Sequence, residues 1–142
     1  MINQKSATKS MSSYANKAIS TPFAPSPVGP YNQGVLAGGW LYCSGQIALD
    51  PSTSLMVGEG NVEKETKQVL KNLIAVLTAS GATTSQVVRT TIYLVDLSDF
   101  NKVNSIYSET FQDGVNPARA CVQVAALPKA ARVEIDCIAW LG

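Results

Sequence analysis

The alternation of apolar and polar side chains divides the chain into segments of two periods. Val62, Thr66, Val69, Leu70, Leu73, Ile74 and Leu77 recur at three- and four-residue spacings, which predicts an amphipathic helix. Asn61 is suited to cap its start and Gly81 to end it. A second stripe, Phe100, Val103, Tyr107 and Phe111, predicts another helix, capped by Ser98 or Asp96 and stopped by Gly114 and Pro117. Asn104 interrupts that stripe, and an amide there needs a partner, either backbone or ligand. Val87 to Val95, rich in β-branched residues, reads as a buried strand. Gln33 to Ala37 and Trp40 to Ile47 flank Gly38-Gly39, a dipeptide suited to positive φ, and together predict a β-hairpin. Two further strands are expected over Arg119 to Ala125 and Val133 to Trp140, joined by a turn at Leu127 to Ala131.

This order, strand, strand, helix, strand, helix, strand, strand, predicts an α+β sandwich with helices on one face of a single sheet. The other face then needs cover, which an oligomer supplies. Thr21 to Pro30 holds four prolines, which force an extended or turning path, and the folded domain is expected to begin about there. Residues 1–18 are rich in Ser, Asn, Ala and Lys, and no acidic residue precedes Asp50. An organellar transit peptide would normally carry Arg, which this stretch lacks, so a flexible tail before a domain of residues 19–142 is the preferred reading.

Length and composition narrow the function. At 142 residues, the chain suits one compact domain. Its 46% hydrophobic and 15% charged content fits a globule with part of its surface covered in an assembly. The net charge of +1 comes from scattered residues with no basic run, so the stripe expected of a protein gripping a long nucleic acid is not visible. There is no histidine, which removes the commonest general base and metal ligand. Cys43, Cys121 and Cys137 are far apart and odd in number, indicating neither a disulfide framework nor a thiolate metal site, and suggesting a reducing compartment. No apolar stretch approaches the ~20 residues of a membrane span. The cytoplasm is the expected location, with organellar targeting by the N-terminal residues as the alternative.

The candidate chemistry sits on the last two strands. A period of two puts Arg119, Cys121 and Gln123 on one face and Ala120, Val122 and Val124 on the other, the apolar set being assigned to the core. Arg119 offers the planar fork that matches a carboxylate, although a solvated strand arginine is the blander reading. In the last strand Val133, Ile135, Cys137 and Ala139 share one face, and Glu134, Asp136 and Ile138 the other. If this strand pairs with the one before it, Glu134 lies near Arg119, as a base, a water positioner or the arginine's structural partner. Gly29 to Gly34 (GPYNQG) lacks the lysine and the helix of a phosphate loop, which leaves Tyr31 as a pocket wall. Cys121 as a nucleophile would have only Arg119 to activate it.

Taken together, GPYNQG (Gly29 to Gly34), CSGQI (Cys43 to Ile47), DLSDFNKVNSIY (Asp96 to Tyr107), NPARACVQVAALP (Asn116 to Pro128) and VEID (Val133 to Asp136) resemble the RidA (YjgF-type) family, in unbroken order from about Ile19 to Leu141. The resemblance implies a chorismate-mutase-like protomer, a single sheet of about six strands with two helices on one face, assembled as a homotrimer with sites in the clefts between subunits. It implies hydrolytic deamination of 2-imino acids such as 2-iminobutanoate and 2-iminopropanoate to 2-oxo acids and ammonia, without metal or cofactor. Arg119 would hold the substrate carboxylate, the backbone N–H of Cys121 would assist, and Glu134 would orient the attacking water. Tyr31, Ser44, Gly45 and Asn104 fall on the remaining pocket positions. Ala120, Gln123 and Ala126 stand where the commonest family pattern has Ser, Glu and Arg, which bears on substrate preference. Competing readings are a carboxylate-binding or chaperone-like trimer without turnover, and an endoribonuclease or translation inhibitor.

Overall fold

The computed structural model describes residues 15–142; the greater part of the expected N-terminal tail lies outside them. Six strands, β1 (Lys17–Ile19), β2 (Gly34–Ala37), β3 (Trp40–Gln46), β4 (Val87–Leu94), β5 (Ala118–Gln123) and β6 (Val133–Trp140), form one sheet in the order β1-β2-β3-β6-β4-β5. Neighbours are antiparallel except β4 and β5, which are parallel and joined through a helix. The hairpin turn falls at Gly38-Gly39, where Gly38 takes φ +61°, a value that would strain most side chains. β1 has no counterpart in the hydrophobic pattern. Three residues are too few to show a period, and the strand exists only because β2 offers it an edge, pairing Lys17 with Leu36.

Two helices, α1 (Val62–Ala79) and α2 (Phe100–Thr110), cover one face. Asn61 caps α1 as expected, its side-chain oxygen accepting from the Lys64 N–H, and Gly81 follows the last turn at φ +80°. Asp96 accepts from the Ser98 N–H and opens the short turn that leads into α2. The α1 stripe of Val69, Leu73, Val76 and Leu77 packs with α2's Val103 and Tyr107 onto Leu41, Ile92, Leu94, Val133 and Ile135 of the sheet. Truncating a fully buried leucine such as Leu73 to alanine would cost about 2–5 kcal/mol. Two stripe members depart from expectation. Ile74 is exposed because Val76 takes the inward position, and Phe100 is exposed because it lies over a guanidinium rather than in the core.

The opposite face of the sheet is uncovered in the protomer and carries Tyr42, Val122 and Ile138. This overturns the face assignment of β5. Its register places Arg119 and Cys121 beside Thr90 and Ile92 of β4, both core-facing, so Arg119 and Cys121 point toward the helices while Ala120 and Val122 point to the open face. The rule that apolar residues turn inward fails because this sheet has two apolar faces and only one helical layer.

Candidate functional site

Arg119 is half-buried between β5 and α2. Its Nη1 donates to Asn104 Oδ1 at 2.6 Å, so the amide that interrupts the helical stripe finds its partner in the arginine. The guanidinium carbon lies 4.9 Å from the centroid of the Tyr107 ring and 5.6 Å from that of Phe100, within cation–π range. The Tyr107 hydroxyl is tied to Thr90 Oγ1 at 2.6 Å, and burial pushes its phenol up, so the ring stays neutral beneath the cation. Among the described residues the only ion pair joins Arg132 to Asp99, so Arg119 has no carboxylate of its own. Beside it opens a cavity of about 320 Å³ walled by Asn104, Tyr107, Phe111, Asn116 and Pro117.

Cys121 lies two positions along β5 on the same face, packed against the core. Burial pushes its thiol up, outweighing the lowering effect of Arg119, so the group is a neutral thiol near pH 7 and a poor nucleophile. Its backbone is placed differently. The N–H of Val124 donates to Leu94 of β4, so by the alternation of a strand the N–H of Cys121 points away from β4, to the free edge of the sheet.

Glu134 stands on the other face of the sheet. The expectation that it lies beside Arg119 through strand pairing is corrected: β6 pairs with β3 and β4, so β4 separates it from β5, and the two side chains project from opposite faces. A smaller cavity of about 60 Å³ gathers Glu134 with Tyr31, Gly45, Gln46 and Pro128. An added Cβ on Gly45 would sit 2.6 Å from Glu134 Oε2, so the carboxyl rests where only glycine leaves room. Ser44 is neighbour to this group, its hydroxyl donating to the Asn32 carbonyl at 2.5 Å. Burial first, and the charge of Asp136 second, push the Glu134 carboxyl above the ordinary carboxylate range.

The proline-rich segment reaches this cavity because Gln33 ties it down. The Gln33 amide is buried, accepts from the Thr21 N–H and donates to the Thr21, Ala24 and Pro25 carbonyls. The same turn sets Tyr31, whose hydroxyl accepts from the Val28 N–H. The protomer therefore holds two separate groups: Arg119, Asn104 and Cys121 on the helical side, and Tyr31, Ser44, Gly45 and Glu134 on the other. Sequence reasoning missed Gln33, Thr90 and the role of Phe100 and Tyr107, all of which act through contacts distant in the chain. Among the described residues no three of His, Cys, Asp and Glu converge as metal ligands would, and no helix is long and apolar enough to cross a membrane.

Comparison with known proteins agrees with this architecture. The family model described as "Endoribonuclease L-PSP" matches residues 21–141. A RutC family protein of Synechocystis is 55% identical over 88% of this chain and 96% of its own length. The human 2-iminobutanoate/2-iminopropanoate deaminase is 48% identical over 93% and 95% respectively. The crystal structure of Escherichia coli TdcF with bound serine superposes with a TM-score of 0.84 at 36% identity, covering 89% of this chain and 99% of that one. With the six-stranded sheet and its two helices, these matches make the chain a member of the YjgF/RidA family, the one that its family model describes as endoribonuclease L-PSP.

Proposed function

We propose that this protein hydrolyses 2-imino acids to 2-oxo acids and ammonia, acting as a homotrimer whose sites join the two groups of residues from neighbouring protomers. The observation that carries the reading is Arg119: a half-buried guanidinium, oriented by Asn104 and two aromatic rings, with no internal carboxylate and a cavity in front of it. Such a group suits a ligand carboxylate bound through the guanidinium fork. The free N–H of Cys121 at the sheet edge adds a second donor. Serine bound to the relative from Escherichia coli, and the deaminase relative from human, favour a small α-carboxylate compound as the substrate.

The chemistry requires an acceptor for the proton of water. In a protonated 2-imino acid the C=N carbon is already electrophilic, so water adds to it as Glu134 accepts a proton. Glu134 then passes the proton to the nitrogen and takes up the hydroxyl proton as the C–N bond breaks, so that ammonia leaves a 2-oxo acid and the last proton goes from Glu134 to ammonia or water. A carboxyl held above its ordinary range is a better base for this step than an exposed glutamate. Within one protomer the sheet stands between Arg119 and Glu134, so the reading needs a second copy, and the uncovered apolar face carrying Tyr42 and Val122 suits that contact. The three free thiols fit a reducing, cytoplasmic setting.

Mixing tests both parts. Arg119→Ala and Glu134→Gln proteins, each expected to be strongly slowed in a 2-iminobutanoate decay assay, are unfolded together and refolded as mixed assemblies. Recovery of imine hydrolysis supports a site shared between protomers. A wild-type trimer that binds 2-oxobutanoate but leaves imine decay at the buffer rate would replace the enzyme reading with carboxylate binding alone.

A further inference from the structure

Glu134 has company on its face of the sheet. β6 alternates between core and open face, so Asp136 follows Glu134 on the same side two positions later. Tyr93 of β4 is the cross-strand partner of Glu134, and its hydroxyl donates to Asp136 Oδ2 at 3.1 Å. The phenol thus stands opposite one carboxylate and reaches the next. On the β3 side, the Glu134 carboxyl meets Gly45, where there is no side chain to hydrogen-bond it. Tyr31 and Gln46 face it across the small cavity, and neither carries a positive charge. The nearest cation on β4 by register is Arg89, opposite Ile138 rather than either acid. Among the described residues neither carboxylate forms an ion pair.

Two unpaired acids side by side resist ionising together. The Tyr93 hydroxyl holds the Asp136 carboxyl in place on the same face as Glu134, and the charge of Asp136 favours a proton on Glu134. We propose that Asp136, oriented by the Tyr93 hydroxyl, is a positioning residue that makes Glu134 a stronger base toward the attacking water than an isolated glutamate would be. This rests on the reading of Glu134 as the water-orienting group. Burial and the neighbouring acids raise the Tyr93 phenol above its usual value, so it remains a donor throughout the neutral range.

The test is the titration of the Glu134 side-chain carboxyl by carbon-13 NMR in the intact protein, with the signal assigned by its loss in Glu134→Gln. In Asp136→Asn the Glu134 midpoint moves to lower pH, and in Asp136→Glu it returns toward the wild-type position. Tyr93→Phe releases Asp136 to turn toward solvent and lowers the Glu134 midpoint by a smaller step, which covers the case of Asp136→Asn failing to fold. The acid limb of kcat/KM for imine hydrolysis shifts in the same direction as the midpoint. A Glu134 midpoint unchanged in both Asp136→Asn and Tyr93→Phe overturns the assignment, whatever the activity. A midpoint that shifts as expected in a protein without imine hydrolysis supports the pairing of the two acids and sinks the proposed reaction instead.

Discussion

Replacing Arg119 by alanine removes the cation that we assign to the substrate carboxylate. The guanidinium spends one N–H on Asn104 and rests on Tyr107 and Phe100, which leaves its remaining donors for a ligand. A bidentate pair makes two charge-assisted hydrogen bonds of about 1.5–3 kcal/mol each. With tenfold in rate for each ~1.4 kcal/mol, their loss lowers kcat/KM by about 10²–10⁴-fold. Arg119→Lys keeps the charge but not the fork, and the loss of one of the two bonds lowers it by about 10–10²-fold. Neither change should unfold the protein. The amide left behind at Asn104 is only half-buried and open to water in the adjoining cavity, so the cost stays well below the roughly 5–15 kcal/mol that holds a domain together. The assay generates 2-iminobutanoate in situ and follows its decay, with circular dichroism and sedimentation as controls on folding and assembly. A folded, assembled Arg119→Ala protein with wild-type kcat/KM would refute the role given to the guanidinium.

Gly45→Ala places a methyl group 2.6 Å from Glu134 Oε2, so the carboxyl must swing away. Its kcat should fall toward that of Glu134→Gln, an acid–base contribution of about 10²–10⁴-fold at most, while KM changes little because Arg119 is untouched. Cys121→Ser should keep most of the imine hydrolysis, since burial holds the thiol neutral and only the backbone N–H is assigned a part; a folded but dead variant would return the sulfur to the mechanism. Glu65 is fully buried, accepts from the Arg132 N–H, and has its carboxyl pushed up by burial despite the nearby Arg132. A raised folded-state value favours the protonated form, so its contribution to stability is complete below the unfolded value near 4.5 and is lost as pH rises through the raised folded value. Urea unfolding of Glu65→Gln at fixed protein concentration should therefore show the variant gaining on wild type as pH increases over that window, and a constant difference would contradict it.

The sequence by itself determined most of the local structure. Period and caps placed both helices, the Gly38-Gly39 turn and the strands from Trp40 onward, because each is decided by residues within a turn or two of one another. The alternation within β6 was legible for the same reason: Val133, Ile135 and Cys137 are buried and Glu134 and Asp136 are not. Asn104 could be marked as needing a partner, but not matched to Arg119, fifteen residues away. The tertiary structure decided what depends on the order of strands. With β4 inserted between β5 and β6, Arg119 and Glu134 fall on opposite faces, and the apolar face of β5 becomes the uncovered one. A period of two says which side chains share a face. Which face meets the helices is set only when the register to a neighbouring strand is formed, and that neighbour is far away in the chain.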